Sequence, residues 1–401
     1  MMFNNHPFDS TASILTAIYL LAWGCFLSPI QGDDWPKWLG PLGDSVWREQ
    51  GILDRFPESG PNLRWKSKIA GGYSGPSVSD GKVLLMDWIA DPSAAKPKNL
   101  NEGSIPKNQN FVRELRPGRE RVICLDEKNG RPIWTRQYQC DYTSVATYAI
   151  GPRCAPVIDD QRVYSLGGEG HLHCLNLLDG KTIWAKNFVK DFGLKIPEWG
   201  VASHPLVDGN QLICMVGGKN TCIAFDKHNG KILWQGINAG KPGYCSPVIY
   251  EFGGKRQLII WHSDALDALD PATGKQIWSI PFKSTYAMSI GVPRKEGNRL
   301  FLMCFAGRCA AIDVADDGQS AILAWEGNRK KGIDGVMNTP FLLDGHIYGC
   351  GNGGRYVCAS LKDGKQLWTS YQPAGSKRPL TWGNVFTVRQ GNRFFLANDQ
   401  G

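Results

Sequence analysis

Residues 124–134 read CLDEKNGRPIW, and the same eleven-residue unit returns as CLNLLDGKTIW ending at Trp184, AFDKHNGKILW at Trp234, ALDPATGKQIW at Trp278 and CASLKDGKQLW at Trp368. A longer, looser copy, AIDVADDGQSAILAW, ends at Trp325. Successive copies end 50, 50, 44, 47 and 43 residues apart, a period that marks a repeat architecture. In each unit two short alternating runs flank a turn centred on Asn-Gly, Asp-Gly or Thr-Gly, the local signature of a β-hairpin. Glycine supplies the positive φ that the turn demands. The first position is small (Ala or Cys). The third is Asp126, Asp226, Asp270 or Asp313, with Asn176 and Ser360 as polar substitutes. Cys124, Cys174 and Cys358 hold the small position and read as alanine surrogates, not redox groups.

Another hairpin precedes each unit, as in CAPVIDDQRVYSL and SHPLVDGNQLICM, so one repeat makes four antiparallel strands of about five residues. A sheet that small cannot bury both faces alone, and its copies must pack on one another in a ring. The repeated tryptophan is the wedge between neighbours, each buried indole removing about 150–250 Å² from water, worth roughly 4–6 kcal/mol gross. Trp65, Trp134, Trp184, Trp234, Trp278, Trp325 and Trp368 are therefore structural docking residues, not a cofactor box. Trp65 has the pattern of a last strand with no preceding half. The chain's final hairpin begins at Trp382, runs to Ala397 and stops at Gly401, where a third strand is due. The fold expected is all-β: a seven-bladed β-propeller of four-stranded antiparallel blades. Its last blade is closed by the N-terminal strand around Trp65 and is left incomplete by a truncated end.

The pattern Ala-x-Asp-x-x-x-Gly-Lys-x-x-Trp resembles the tryptophan-docking repeat of PQQ-like (pyrroloquinoline-quinone-type) propellers, over about residues 62–401. The opening Trp35-Pro36-Lys37-Trp38-Leu39-Gly40-Pro41, with GILDRFPESGPNLRWK after it, resembles the start of exported bacterial proteins of this class. The resemblance implies two kinds of function. Quinoprotein dehydrogenases, acting on alcohols or polyvinyl alcohol, hold PQQ over calcium with an oxygen-ligand cluster, an aspartate base, a tryptophan floor and usually adjacent cysteines. The outer-membrane assembly propeller BamB uses the ring as a docking surface. This sequence has no Cys-Cys and no Cys-x-x-Cys-His haem motif. Its channel-mouth positions, Ser74, Cys154, Ser203, Cys245, Ser289, Asn338 and Trp382, are mostly small and neutral, a poor cage for a hard dication. The expectation is an exported, non-catalytic binding or scaffold protein with no cofactor. A PQQ- and calcium-dependent dehydrogenase is the alternative.

Composition bounds the rest. Lys plus Arg exceed Asp plus Glu by 45 to 37, a net charge of +8 that fits a basic surface patch and not a nucleic-acid-coating protein. Ile14 to Leu27 is a run of signal-peptide length, too short to span a bilayer comfortably, though without Lys or Arg before it. Residues 1–31 are read as a signal peptide, 32–61 as a lead-in and 62–401 as the propeller. The mature chain is then periplasmic or secreted, monomeric, and at most peripheral to a membrane. Of twelve cysteines, Cys214 with Cys222 and Cys304 with Cys309 are the candidate disulfides.

The long connections are expected on one face, and binding usually sits on such loops. The largest, about Ile89 to Glu120, carries Lys96, Lys98, Lys107, Arg113, Arg116 and Arg119 against Asp91, Glu102, Glu114 and Glu120. The candidate ligand-binding residues are Arg153, His204, Trp199, Tyr244, Lys330, Arg378 and Trp382, with Tyr148 among the loop aromatics. Cations beside flat rings suit an envelope protein's acidic segment, or an anionic or carbohydrate-like ligand. His204 is expected to face the central channel. His171 and His173 share one strand face as a possible metal pair, but the sequence offers no third ligand. Asp334 and Asp141 are loop carboxylates to which spacing assigns no partner.

Overall fold

The structure, a computed structural model, describes residues 32–400 apart from 54, 95, 102, 103 and 219. The signal peptide expected over 1–31 lies outside the described residues, as does Glu102. Short alternating runs bounded by glycine turns pair antiparallel in strict sequence order. In sheet 1, Ser77–Ser79, Lys82–Ala90, Gly118–Asp126 and Pro132–Gln139 lie side by side. The same four-strand order recurs over residues 157–187, 206–236, 248–281, 294–327 and 341–370, sheets 2 to 6. Val385–Gln390 and Arg393–Asn398 make a two-stranded sheet 7. The insertion between the second and third strands of sheet 1 carries a small hairpin of Lys98–Asn99 with Glu114–Leu115.

The apolar residues of the middle strands meet between consecutive sheets, so the core is a series of interfaces. Leu84, Met86, Val122 and Cys124 of sheet 1 pack on Val163 and Leu175 of sheet 2. Sheets 2 and 3 share Tyr164, Leu172, Leu212 and Phe225, and sheets 6 and 7 share Tyr356 and Val385. The architecture is an all-β propeller, in which no single sheet owns a core.

Each outer-strand indole fastens its sheet to the next. Trp134 Nε1 donates to the Leu177 carbonyl at 2.9 Å, Trp184 to Lys227 at 3.1 Å, Trp234 to Pro271 at 3.1 Å and Trp325 to Leu361 at 3.2 Å. The acceptor is always the residue after the third position of the next eleven-residue unit. The turn glycine of that unit lies flat on the indole: a Cβ on Gly180 or Gly274 would come within 2.5 or 2.4 Å of it. Sheet 5 has the longer turn, and Gln257 bridges the difference. Trp278 Nε1 donates to Gln257 Oε1 at 2.9 Å, and Gln257 Nε2 donates to the Gly318 carbonyl at 2.7 Å.

Two indoles depart from the expected pattern. Trp65 lies in no strand and forms no ladder with sheet 7 among the described residues. It docks on sheet 1 instead, donating to the Glu127 carbonyl at 2.6 Å with Gly130 against its ring. Trp368 is 47 % exposed and touches only Tyr348 and Tyr356 of its own sheet among the ring contacts. Sheet 7 has no third-to-fourth-strand turn among the described residues to receive it.

Closure comes from the lead-in. Trp35 exchanges backbone hydrogen bonds with Val78 of sheet 1, at 2.8 and 3.0 Å, and the Pro36 carbonyl accepts from Ile158 of sheet 2 at 2.8 Å. Trp38 stacks on His204, centroids 5.1 Å apart, ahead of sheet 3. Arg294 of sheet 5 donates to the Gly43 carbonyl at 2.9 Å and to Ser45 Oγ at 3.1 Å. Arg389 of sheet 7 donates to the Ser45 carbonyl at 2.9 Å and accepts from Trp47 at 2.7 Å, with Val46 in a parallel bridge. One extended segment thus ties the first and last sheets to those between. These contacts fall largely on the innermost strands.

Neither candidate disulfide forms. The eleven described cysteines are all buried and free. Strand alternation is the reason: Cys214 points into the interface of sheets 2 and 3, whereas Cys222 points into that of sheets 3 and 4. Cys304 and Cys309 are divided in the same way between the neighbours of sheet 5.

Two glycines of sheet 4 separate the cost of the turn from the cost of the indole contact. Gly254 (φ +69°) has open space where a Cβ would go, and Gly274 (φ +71°) has Trp234 there. Gly254→Ala is expected to destabilise by about 1 kcal/mol through φ alone. Gly274→Ala should cost about 2 kcal/mol more by overpacking, read as a lower midpoint in urea unfolding. Equal midpoints would show that the indole does not press on the turn.

Candidate functional site

The connections that lead into the first strands of sheets 1, 2, 3 and 4 bring an arginine and four aromatic rings together. Arg153 Nε donates to the Trp199 carbonyl at 2.5 Å and Nη2 to the Ala149 carbonyl at 2.9 Å. Its guanidinium lies 4.3 Å from the centroid of the Tyr73 ring. Tyr73 Oη donates to the Tyr148 carbonyl at 2.9 Å, and Trp199 Nε1 donates to Tyr148 Oη at 2.6 Å. Tyr148 Oη in turn donates to Asn110 Oδ1 at 2.5 Å, which joins the sheet 1 insertion to the group. The Trp199 and Tyr244 rings are 5.9 Å apart.

Electrostatics set the character of this cluster. No carboxylate pairs with Arg153 among the described residues, and burial lowers its pKa from the ordinary value, although a guanidinium stays charged at any physiological pH. Nη1 has no hydrogen-bond partner among the described residues. Tyr244 Oη is buried without a partner, and burial raises its pKa. Tyr73 and Tyr148 are 53 % and 50 % exposed. A cation beside half-exposed tyrosines has the chemistry to accept an anionic or amphipathic group.

Of the residues singled out in the sequence, Arg153, Trp199 and Tyr244 meet here. Lys330, Arg378 and Trp382 do not join them. They are exposed on the connections that follow sheets 5 and 6, Lys330 at the tip of a turn closed by the Asn328–Lys331 bridge. Trp382 also misses the channel-mouth register, because Asn384 is the residue that meets Asn338, at 3.4 Å. His204 is capped by the lead-in. Trp38 covers its ring and Ser246 Oγ lies 3.2 Å from Nδ1, beside a groove of about 520 Å³ lined also by Lys37, Tyr250 and Arg256. Asp334 is buried between Arg329 and Arg355, at 3.5 and 3.6 Å, and Asp141 accepts from Gly118 and Gln139. Both carboxylates are held in structural pairs.

Sequence reasoning missed Tyr73 and Asn110. Register could have found Tyr73, since it precedes Ser74 as Arg153 precedes Cys154 and Tyr244 precedes Cys245. Nothing local marks Asn110, which acts from inside an insertion.

The sequence model of the family described as "Outer membrane protein assembly factor BamB" matches residues 118–370. The chain belongs to this family. The BamB of Shewanella oneidensis is 21% identical over 265 residues, which cover 61% of this chain and 64% of that protein. The BamB of Moranella endobia is 25% identical over 206 residues, 47% of this chain and 50% of that protein. The chain thus spans between half and two thirds of these curated relatives. Among solved structures, BamB from Moraxella catarrhalis superposes with a TM-score of 0.50 at 16% identity, over 82% of this chain and 92% of that one. At that identity the likeness is one of fold. The family match starts at Gly118, so Tyr73 and Asn110 lie outside the matched residues.

His204 gives the site a measurable pH signature. Burial pushes its pKa down to about 3, against about 6.5 for a free imidazole. Above pH 6.5 the ring is neutral in both the folded and unfolded chains and contributes nothing. As pH falls toward 3 the unfolded chain takes up a proton that the folded one refuses, and stability drops. From pH 7 to pH 5 the loss is about 2 kcal/mol, and His204→Gln should remove that part of the slope in urea unfolding followed against pH. An unchanged slope would mean that Trp38 does not keep His204 neutral.

Proposed function

We infer that this protein is a non-catalytic envelope scaffold, and that the Arg153 cluster docks an acidic, aromatic-compatible segment of a partner protein. The observation that carries the reading is the unpaired guanidinium of Arg153 under exposed Tyr73 and Tyr148. Tyrosine, tryptophan and arginine on preformed loops are the composition of interaction hot spots. Membership in a family described as outer-membrane protein assembly factors supports an envelope location and an envelope protein as the partner.

Several groups around the hub are already engaged in joining sheets. Ser77 Oγ donates to the Pro156 carbonyl at 2.5 Å, Ser203 Oγ to Cys245 at 2.9 Å and Tyr250 Oη to Pro293 at 2.9 Å. None of the seven channel-mouth positions read in the sequence carries a carboxylate, which a calcium ion beneath a quinone would call for. The reading therefore assigns no cofactor.

A photo-crosslinking residue placed at Tyr148 in the native envelope should capture a component of outer-membrane protein assembly. The same residue at exposed Ile322 should not. Trp199→Ala should weaken the complex about tenfold, roughly 1.4 kcal/mol, with the thermal midpoint kept. Identical capture from both positions would refute the docking face. Dye-linked alcohol oxidation by the purified protein with added quinone and calcium would refute the non-catalytic assignment.

A further inference from the structure

The interface between sheets 1 and 2 encloses a second polar cluster that the docking function does not use. Glu120 lies on the third strand of sheet 1, Cys140 just after its fourth strand, and His171 opens the third strand of sheet 2. One potential ligand atom from each lies within 4.8 Å of the others. We propose that Glu120, Cys140 and His171 form a binding site for a divalent zinc-type cation that staples sheet 1 to sheet 2.

Four observations support a cation here. Glu120 is fully buried, and no lysine or arginine pairs with it among the described residues. Its oxygens accept only from neutral donors: Tyr142 Oη at 2.6 Å, Tyr138 Oη at 2.7 Å and the Gly168 amide at 2.9 Å. A second carboxylate, Glu169, is buried two residues before His171, where it accepts from the Thr143 and Ser144 amides at 3.3 and 3.2 Å. Two buried carboxylates without a counter-ion are costly. The imidazole nitrogen Nδ1 of His171 is buried without a hydrogen-bond partner among the described residues. Sheet 2 also makes room for the carboxylate, because a Cβ on Gly167 would fall 1.9 Å from Glu120 Oε2.

The donor set selects the ion. One sulfur, one nitrogen and one carboxylate oxygen suit zinc and exclude calcium and magnesium, which take oxygen ligands. Zinc–ligand bonds of about 2.0–2.3 Å place tetrahedral ligands about 3.3–3.8 Å apart, so the three groups need draw together by about an ångström. The Cys140 thiol loses its proton to solvent as the metal binds. The hydroxyls of Tyr138 and Tyr142 orient Glu120 from behind. Both histidines pack on the Tyr138 ring, His171 at 5.4 Å and His173 at 4.2 Å, and His173, the partner suggested by sequence spacing, lies outside the cluster.

The test uses the full purified chain, stripped with a chelator and titrated with zinc and with cobalt(II). One equivalent of zinc should bind, and the thermal midpoint should rise. The cobalt complex should show a near-ultraviolet thiolate-to-metal band. Cys140→Ser should abolish that band, Glu120→Gln and His171→Asn should each weaken zinc binding at least tenfold, and His173→Asn should leave it unchanged. Should Cys140→Ser fail to fold, the cobalt spectra of the wild type and of His171→Asn decide. Absence of stoichiometric metal, a cobalt complex without thiolate absorption, or binding insensitive to His171→Asn would overturn the site.

Discussion

The contact on which this fold depends is an indole laid against a glycine turn of the next sheet. It does two jobs at one place. The ring covers the turn's backbone, and its N–H satisfies a carbonyl that would otherwise be stranded between sheets. Glycine is required twice over, by the positive φ and by the closeness of the ring. The repeat therefore couples a hairpin signal to a packing signal, and neither could change without the other. Where the turn lengthens in sheet 5, Gln257 restores the connection through its amide, which shows that the link itself is what the architecture keeps.

The lead-in completes what the indoles begin. Consecutive sheets are joined by their shared cores, but such a series has two ends. Trp35 to Glu49 reaches both, pairing with Val78 and with Arg389, and presses Trp38 onto His204 on the way. The Arg153 cluster is built from other residues of the connections that enter sheets 1 to 4. There the ring offers a rigid base for loops that carry rings and charge. The cores hold the sheets, the lead-in ties them, and the entry connections carry the candidate site.

The fold was legible in the sequence to a great extent, because five near-identical units in register carry both turn and wedge. Closure was not. Trp65 looked like the missing strand of the last sheet, yet an isolated tryptophan says only that some turn will receive it, and the turn it meets is that of sheet 1. The disulfide candidates failed because proximity in sequence across a hairpin ignores which face each residue takes. In the candidate site, Arg153, Trp199 and Tyr244 were found because arginine and aromatics on long connections are unusual enough to notice. Lys330 and Arg378 were included by charge alone, and charge does not say which connection a residue shares with its neighbours. The Glu120–Cys140–His171 cluster was half visible as a histidine pair. Its other ligands come from a different sheet, a juxtaposition that only the packed ring creates.

The most direct measurement is hydrogen exchange of the tryptophan indole N–H groups under native conditions. The account predicts slow exchange for Trp65, Trp134, Trp184, Trp234 and Trp325, each bonded to a turn carbonyl of the sheet it docks on, and for Trp278, linked to the next sheet through Gln257, and fast exchange for Trp368, which is 47 % exposed and has no such bond among the described residues. Fast exchange of all seven, or protection of Trp368 equal to the others, would contradict the claim that these indoles hold the sheets together.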